Sequence, residues 1–213
     1  MGTRNLLLLL AMACIFGPGA GTARIRSSSD APWKPGRVLA YWVQSTDEMQ
    51  VNEGDGDTGW YYDNYSRSSG TGTLFLVDSD TLDCDTLLSQ SWTQDGAEKL
   101  GNGLLIAVNY YDSAYGDDEL EKDLGFEGLY LGGESSKIDT GADREMYIYA
   151  IYDGYLSPLT FYYFSLDPSW VRIDSVDKDA VKGEFYTETW EGDFNALNCG
   201  TLEEPYWADT GHY

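Results

Sequence analysis

Residues 144–167, REMYIYAIYDGYLSPLTFYYFSLD, combine two apolar, aromatic-rich runs with a turn dipeptide between them. Asp153-Gly154 favours a tight hairpin, because both central residues of a type I′ turn need a positive φ. Pro158 cannot donate a ladder hydrogen bond, so the second strand is predicted to start after it or to lie at an edge there. Both alternating faces of the first run are apolar or aromatic. Such a strand is buried on both sides, lines a cavity or presents an aromatic face to a ligand, and we favour burial in a core.

The rest of the chain repeats this pattern of short apolar runs separated by turns. Runs rich in Val, Ile, Tyr, Phe and Trp lie at residues 37–44, 59–65, 71–77, 104–111, 128–132, 146–152, 159–166, 170–176 and 184–190. Helical signals are weak and are limited to residues 94–100 and 117–124. Roughly nine short strands with little helix predict an all-β fold, either an antiparallel sandwich or a barrel.

Residues 1–23 have the layout of a secretory signal peptide. Arg4 supplies a positive region, residues 6–16 form an uninterrupted apolar run, and Gly21 and Ala23 are small residues suited to a cleavage site. The apolar run is too short to span a bilayer. We therefore predict a secreted, extracellular protein, periplasmic in a bacterium, that does not insert into a membrane. A lipidated Cys14 is the less favoured alternative, because the apolar run continues after it.

Composition divides the remaining chain into a basic arm and an acidic body. Residues 24–36 mix basic, Ser and Pro residues without periodicity, which predicts a flexible arm, and residues 37–213 are predicted to form a single all-β domain. The net charge is -23 at pH 7. From residue 41 onward, eight Lys or Arg residues face thirty-five Asp or Glu residues. A surface this acidic repels phosphate backbones and anionic lipids, so a nucleic-acid partner is disfavoured.

Two cysteines remain after the leader, Cys84 and Cys199. In an oxidising compartment they are predicted to form one disulfide, which would close a long loop. Asn64 begins the sequon Asn64-Tyr65-Ser66 and is a glycosylation candidate in a eukaryotic host.

The residue inventory disfavours nucleophilic and zinc-dependent catalysis. His212, the penultimate residue, is the single histidine, so a Ser-His-Asp or Cys-His arrangement has no imidazole inside the domain. Carboxylates are the abundant reactive groups, and glycoside hydrolysis needs only two of them. Glu184 and Glu188 are the weak catalytic candidates, because we expect them to share one face of a strand rich in aromatic residues.

Two acidic tracts have the density of carboxylate oxygens that calcium prefers. Their candidate ligands are Glu53, Asp55 and Asp57 in residues 52–63, and Asp78 and Asp80 in residues 78–85. Neither tract matches the twelve-residue EF-hand loop. Calcium is therefore a candidate cofactor without a matching motif.

The leading functional hypothesis is a secreted, non-catalytic binding protein for a glycan or a protein ligand. Exposed Tyr and Trp side chains offer flat, amphipathic faces for such ligands. The aromatic candidates are Trp42, Trp60, Tyr61, Tyr62 and Trp92. One alternative is a lipocalin-like barrel that carries a small apolar ligand, with the hairpin of residues 144–167 as a cavity wall. A second alternative is a glycan-active hydrolase or lyase that uses carboxylates alone.

Overall fold

Eleven strands and one short helix are present in the part of the chain that the computed structural model describes. The described residues are 21–29, 31, 33–51, 65–79, 81–89, 100–115, 125–132, 136–137, 143–152, 155–158 and 169–202. The strands are β1 (Gly21–Ser27), β2 (Val38–Val51), β3 (Tyr65–Val77), β4 (Gly103–Tyr115), β5 (Gly128–Gly132), β6 (Ser136–Lys137), β7 (Asp143–Tyr152), β8 (Tyr155–Pro158), β9 (Trp170–Val176), β10 (Ala180–Tyr186) and β11 (Trp190–Thr201), and the helix is α1 (Cys84–Ser89).

The sheet closes on itself as a barrel. Its strand order is β4-β3-β2-β1-β11-β10-β9-β5-β7, and a direct β4–β7 pairing joins the two ends. Most neighbours are antiparallel, but β2–β11 and β5–β7 are parallel, so this is a mixed barrel of 9 strands. The prediction of an all-β fold with about nine strands is confirmed, and of the two predicted architectures the chain adopts the barrel.

Strand β7 is buried on its inward face, whereas Glu145, Tyr147 and Tyr149 on its outward face are half-buried. Met146, Ile148 and Ala150 point into the barrel, while Ile151 belongs to a second apolar cluster on the outside. Tyr155–Pro158 pairs with β7 as an antiparallel neighbour, and β8 lies off the main strand order. The second strand therefore does not start after Pro158 but ends there, and β8 lies off the barrel order, a position compatible with the missing donor of Pro158.

Among the described residues, many large side chains pack in the barrel interior. Its aromatic members are Trp33, Trp42, Tyr110, Phe126, Tyr130, Phe185, Trp190 and Phe194. Glycine at position 72 makes room for one of these rings. A Cβ atom added to Gly72 would collide with the six-membered ring of Trp42. The glycine on β3 leaves the space that the indole on β2 occupies, and the Trp42 ring also makes an edge contact with Phe126 at a centroid distance of 5.3 Å.

A second cluster covers the outer face of β2, β3, β4 and β7. Leu39, Val43 and Phe75 on the strands pack there with Leu82 and Leu87 from the segment around α1. The Tyr41 hydroxyl donates a hydrogen bond to the Leu82 carbonyl oxygen at 2.7 Å, and burial raises the pKa of this phenol. Helix α1 therefore covers one side of the barrel.

The predicted disulfide is present. Cys84, the first residue of α1, is bonded to Cys199 on β11, with their Cα atoms 5.1 Å apart and a sequence separation of 115. Both cysteines pack against the outer cluster. The bond therefore fastens the short helix to the barrel at the strand that pairs with β2.

Three sequence expectations differ from the structure. Arg24–Ser27 lie in β1 rather than in a flexible arm, and Trp33 within residues 24–36 is buried against Trp190, whose indole donates to the Trp33 carbonyl oxygen at 3.3 Å. Residues 184–190 are not one strand, because β10 ends at Tyr186 and β11 begins at Trp190. Helix α1 was not predicted. Residues 59–64, 94–99, 117–124 and 159–166 lie outside the described part of the chain.

Removing the disulfide should destabilise the fold without changing it. A variant with Cys84→Ser and Cys199→Ser should lose roughly 2–5 kcal/mol of unfolding free energy, because the loop it closes is long. Urea unfolding of the variant and the unmodified protein measures the difference. An unchanged urea midpoint, or two free thiols in the denatured unmodified protein, would contradict the assignment.

Candidate functional site

The outer face of β1, β11, β10, β9 and β5 carries polar and aromatic side chains. Cross-strand register arranges these side chains in two adjacent rows, because partners on neighbouring antiparallel strands lie about 4.5–5.5 Å apart at their Cβ atoms. The first row is Arg26, Glu191, Tyr186, Trp170 and Leu131, and the second is Arg24, Asp193, Glu184, Arg172 and Leu129. We call the first the aromatic row and the second the charged row.

The aromatic row is built around a parallel pair of rings. Trp170 and Tyr186 lie on neighbouring strands, with centroids 6.2 Å apart and ring planes 17° from parallel. Leu131, which follows Trp170 in the register, is 38% exposed. At the other end, the Arg26 guanidinium lies 3.5 Å from the Glu191 carboxylate. The row thus forms an apolar strip that ends in a solvent-exposed ion pair.

In the charged row, Arg172 pairs with two carboxylates, Glu184 of the row and Asp174 further along β9. Arg172 Nε donates to Asp174 Oδ1 at 2.7 Å, and Arg172 Nη2 lies 3.2 Å from Glu184 Oε2. These carboxylates raise the pKa of Arg172, with the hydrogen bond to Asp174 as the largest cause. Arg24 is exposed and lines the cleft, and among the described residues no ion pair involves its guanidinium. The row therefore offers fixed hydrogen-bonding groups beside the aromatic strip.

A cleft of about 290 Å³ lies where the two rows meet. Its lining residues are Arg24, Arg26, Trp170, Glu184, Phe185, Tyr186, Glu191, Gly192 and Asp193. Most of these side chains are half-buried or exposed, so the cleft is open to solvent. This combination of half-buried aromatic rings with donors and acceptors of both charges suits a ligand that has both an apolar face and hydroxyl groups.

The aromatic residues predicted to be exposed do not form this site. Trp42 is 1% exposed and lies in the barrel interior, where its indole nitrogen donates to Gln44 Oε1 at 2.8 Å. The prediction of an exposed Trp42 is wrong, because its face of β2 points inward. Trp60, Tyr61, Tyr62 and Trp92 lie outside the described residues.

Glu184 lines the cleft, but Glu188 does not share its strand. Glu188 lies in the turn between β10 and β11 and is exposed. The Thr187 hydroxyl organises this turn by accepting hydrogen bonds from the backbone nitrogens of Thr189, at 3.2 Å, and Trp190, at 2.8 Å. The expected common face of Glu184 and Glu188 is therefore wrong. Glu191 and Asp193 are the carboxylates that lie with Glu184 along the cleft.

The second acidic tract has structural roles in the part that the structure describes. Asp78 Oδ1 accepts a hydrogen bond from the Asn102 backbone nitrogen at 2.7 Å, and Asp83 Oδ1 accepts one from Thr86 at 2.8 Å. Across the described residues, no group of three His, Cys, Asp or Glu side chains could hold a metal ion. Asp80, the acidic residues Glu53, Asp55 and Asp57 of the first tract, and the sequon residue Asn64 lie outside the described part.

One end of the barrel interior contains a buried arginine. Arg144 is 8% exposed and lies on the inward face of β7. Its guanidinium donates to the Phe126 carbonyl oxygen at 3.4 Å and to the Tyr130 hydroxyl at 3.2 Å, and it stacks 5.3 Å from the centroid of the Tyr130 ring. Burial raises the pKa of Tyr130, so this phenol stays neutral. These contacts add a polar network to the packed interior.

Trp170 and Tyr186 were not selected from the sequence as binding residues. Each lies in a predicted apolar run, where alternation shows only that one face points outward. Their proximity depends on the β9–β10 register, which shifts at an irregularity between Lys182 and Gly183. One signal in the sequence does indicate that Trp170 points outward. Val171 and Ile173 are the apolar, inward residues of this run, and Trp170 alternates with them.

Comparisons with family models, with curated proteins and with solved structures find no match for this chain. Within the described ranges, none of the helical segments has the length and apolar character needed to cross a membrane. The site is therefore interpreted from its own geometry.

Asp83 should contribute stability that depends on pH. Hydrogen bonds from Thr86 hold the pKa of Asp83 below its ordinary value of 3.8, as expected for the N-cap of α1. Because the folded-state pKa is lowered, the stabilisation is present above the unfolded-state pKa and is lost as the pH falls through the folded-state pKa. Asp83→Ala should lower the melting temperature at pH 7, and the difference from the unmodified protein should shrink in acid.

Asp83→Asn is the matched control, since asparagine caps a helix without titrating. At pH 7 the melting temperature of Asp83→Asn should be close to that of the unmodified protein. Thermal unfolding followed by circular dichroism between pH 7 and pH 2 measures all three proteins. An Asp83→Ala effect that stays constant across this range would contradict a contribution from the ionised carboxylate.

Proposed function

We propose that the protein is a secreted, non-catalytic glycan-binding protein whose ligand lies along the aromatic row. The observation that carries this proposal is the parallel pair of Trp170 and Tyr186 rings on the outer surface of the barrel. Sugar rings have an apolar face of C–H groups, and such faces pack on exposed aromatic rings. The strip from Tyr186 to Leu131 spans three neighbouring strands, so it extends in one direction as an oligosaccharide does.

The charged row supplies the polar half of the proposed interaction. Sugar hydroxyls both donate and accept hydrogen bonds, and the cleft offers arginine donors beside carboxylate acceptors. Arg24 and Arg26 on β1 flank Glu191 and Asp193 on β11 across the register. Hydrogen bonds to charged groups are the stronger ones. A neutral glycan matches this alternating arrangement better than a highly charged ligand, which one of the two signs would repel.

Two features support secretion. The chain opens with a positive residue and an apolar run up to residue 16, as a secretory leader does, and its Cys84 and Cys199 are oxidised to a disulfide, a bond typical of secreted proteins.

The outer surface suits a ligand better than the interior does. The described inward-facing side chains include eight aromatic residues and a buried arginine, and they pack against one another across the barrel. An interior ligand would have to displace such contacts, whereas a ligand on the aromatic row needs no rearrangement. This packing favours surface binding over the lipocalin-like alternative.

Glycan binding should depend on Trp170. Against a panel of neutral hexasaccharides (β-glucan, xylan, mannan and chitin series), we expect one class to bind, and Trp170→Ala to weaken that binding at least about tenfold, as truncating a central aromatic contact does. Isothermal titration calorimetry measures the affinities. Leu129→Ala is the matched control, because Leu129 is an exposed apolar residue of the same face that does not line the cleft, so its truncation should leave the affinity within about twofold.

Equal affinities of the unmodified and Trp170→Ala proteins for the bound glycan would contradict the site. Binding of none of the panel at millimolar concentration would contradict the glycan class.

Three carboxylates along the cleft favour one further candidate, a glycan hydrolase. Glu184, Glu191 and Asp193 line the same cleft, and glycoside hydrolysis needs two suitably spaced carboxylates. The ion pair between Glu184 and Arg172 instead favours a structural role for this side chain. We therefore expect no release of shorter sugars from the bound glycan. Product release that Glu184→Gln abolishes and Glu188→Gln preserves would make the protein an enzyme.

A further inference from the structure

Strand β1 begins at Gly21, and its first residues close the barrel. The pairs that join β1 to β2 are Gly21 with Ala40, Thr22 with Leu39, and Ala23 with Val38. Beyond this point β2 pairs directly with β11, where Leu197 lies opposite Tyr41. Gly21–Ala23 therefore form a short wedge between two strands that meet each other further along.

The two small residues of this wedge have structural reasons to be small. A Cβ atom added to Gly21 would collide with the backbone atoms of Leu197, Ala40 and Asn195 at the point where β2 and β11 converge. Ala23 points inward and packs against the filled interior. These packing constraints account for the glycine and the alanine without any role in recognition by a peptidase.

Cleavage after Ala23 would remove this wedge. Val38–Ala40 would lose their backbone partners on that side, because every β1–β2 pair lies within Gly21–Ala23. Unpaired backbone groups in a sheet are costly when they are buried and promote association when they are exposed. A mature chain that starts at Arg24 would therefore have an open seam in its barrel.

We infer that the secretory leader is cut at one of the peptide bonds between Gly17 and Gly21, so that Gly21 remains in the mature protein. This inference rests on secretion, which is part of the proposed function, but not on the glycan site. The apolar run ends at residue 16, and Gly17, Gly19 and Ala20 supply small residues for a cleavage site immediately after it. The mature chain then begins with the strand that completes the barrel.

The direct test is expression of the full chain in a secreting host, followed by N-terminal sequencing and intact mass of the exported protein. A first residue from Pro18 to Gly21 supports the inference. A first residue of Thr22 or later overturns it. An uncut chain, or one lipidated at Cys14, overturns both the inference and the proposed secretion, while glycan titration of the same sample tests the binding site separately.

A stability measurement gives a second, independent readout. Gly21→Ala in the full chain keeps a small residue at position 21, so it would not prevent a cut after Ala23. If the leader were cut there, the substituted residue would be absent from the mature protein. If Gly21 is retained, the added Cβ meets backbone atoms on both neighbours, and the melting temperature of the exported protein should fall by roughly 5–10 °C.

Gly36→Ala is the matched control, because a Cβ atom at this exposed residue would have nothing within 4 Å. It should leave the melting temperature within about 1 °C. Identical melting temperatures of the Gly21→Ala, Gly36→Ala and unmodified exported proteins would show that Gly21 has been removed, and would overturn the inference. Failure of Gly21→Ala alone to yield folded protein would support it, since a removed residue cannot affect folding of the mature chain.

Discussion

Each strand of a closed barrel must place one of its two faces inward, and in this protein that face is filled with large side chains. The period of two in a β-strand decides which residues these are. Because Trp42, Tyr110 and Phe126 project into the same end of the barrel, the facing positions of β3 must be small, and glycine stands at residues 70 and 72. Because the inward side chains are constrained by packing, the strands differ in the chemistry of their outward side chains.

The outer face is divided between two roles. On β2, β3, β4 and β7 it is apolar, and the segment around α1 covers it, held by the Cys84–Cys199 bond. On β1, β11, β10, β9 and β5 it carries the aromatic and charged rows. These two regions of the outer face meet at β11. The first residues of β11 contribute to the aromatic and charged rows, and Cys199 near its end forms the disulfide. The disulfide and the proposed ligand surface therefore share a strand without sharing a site.

Periodicity in the sequence predicted the elements that lie between clear turn signals. Strands β5 and β9 have the bounds of the apolar runs at residues 128–132 and 170–176. The prediction failed at residues 184–190, because Thr187-Glu188-Thr189 form a turn without glycine or proline, and a threonine hydroxyl supplies the turn hydrogen bonds instead. Residues 24–36 were predicted to form a flexible arm because they mix basic, Ser and Pro residues without periodicity, yet Arg24–Ser27 continue β1, with Ile25 packed against the core.

The candidate site could not be predicted in the same way. Trp170 begins β9 and Tyr186 ends β10, so the length of both strands and a turn separates them in sequence, and only the pairing register with its irregularity near Lys182 brings them side by side. Glu184 was selected because it lies among aromatic residues, and it does line the cleft, but the partner expected for it, Glu188, lies in the turn. Local sequence patterns identify outward-facing residues, whereas a site across several strands depends on long-range register.

The central claim is that the ligand lies outside a filled barrel, and the indole N–H resonances of the protein test it most directly. Trp33, Trp42 and Trp190 are buried in the interior, whereas Trp170 lies on the outer face. Two-dimensional 15N–1H NMR during titration with the bound hexasaccharide should shift the Trp170 indole resonance and leave those of the three interior tryptophans unchanged. Shifts of Trp42 and Trp190 with an unmoved Trp170 would place the ligand inside the barrel and contradict the account.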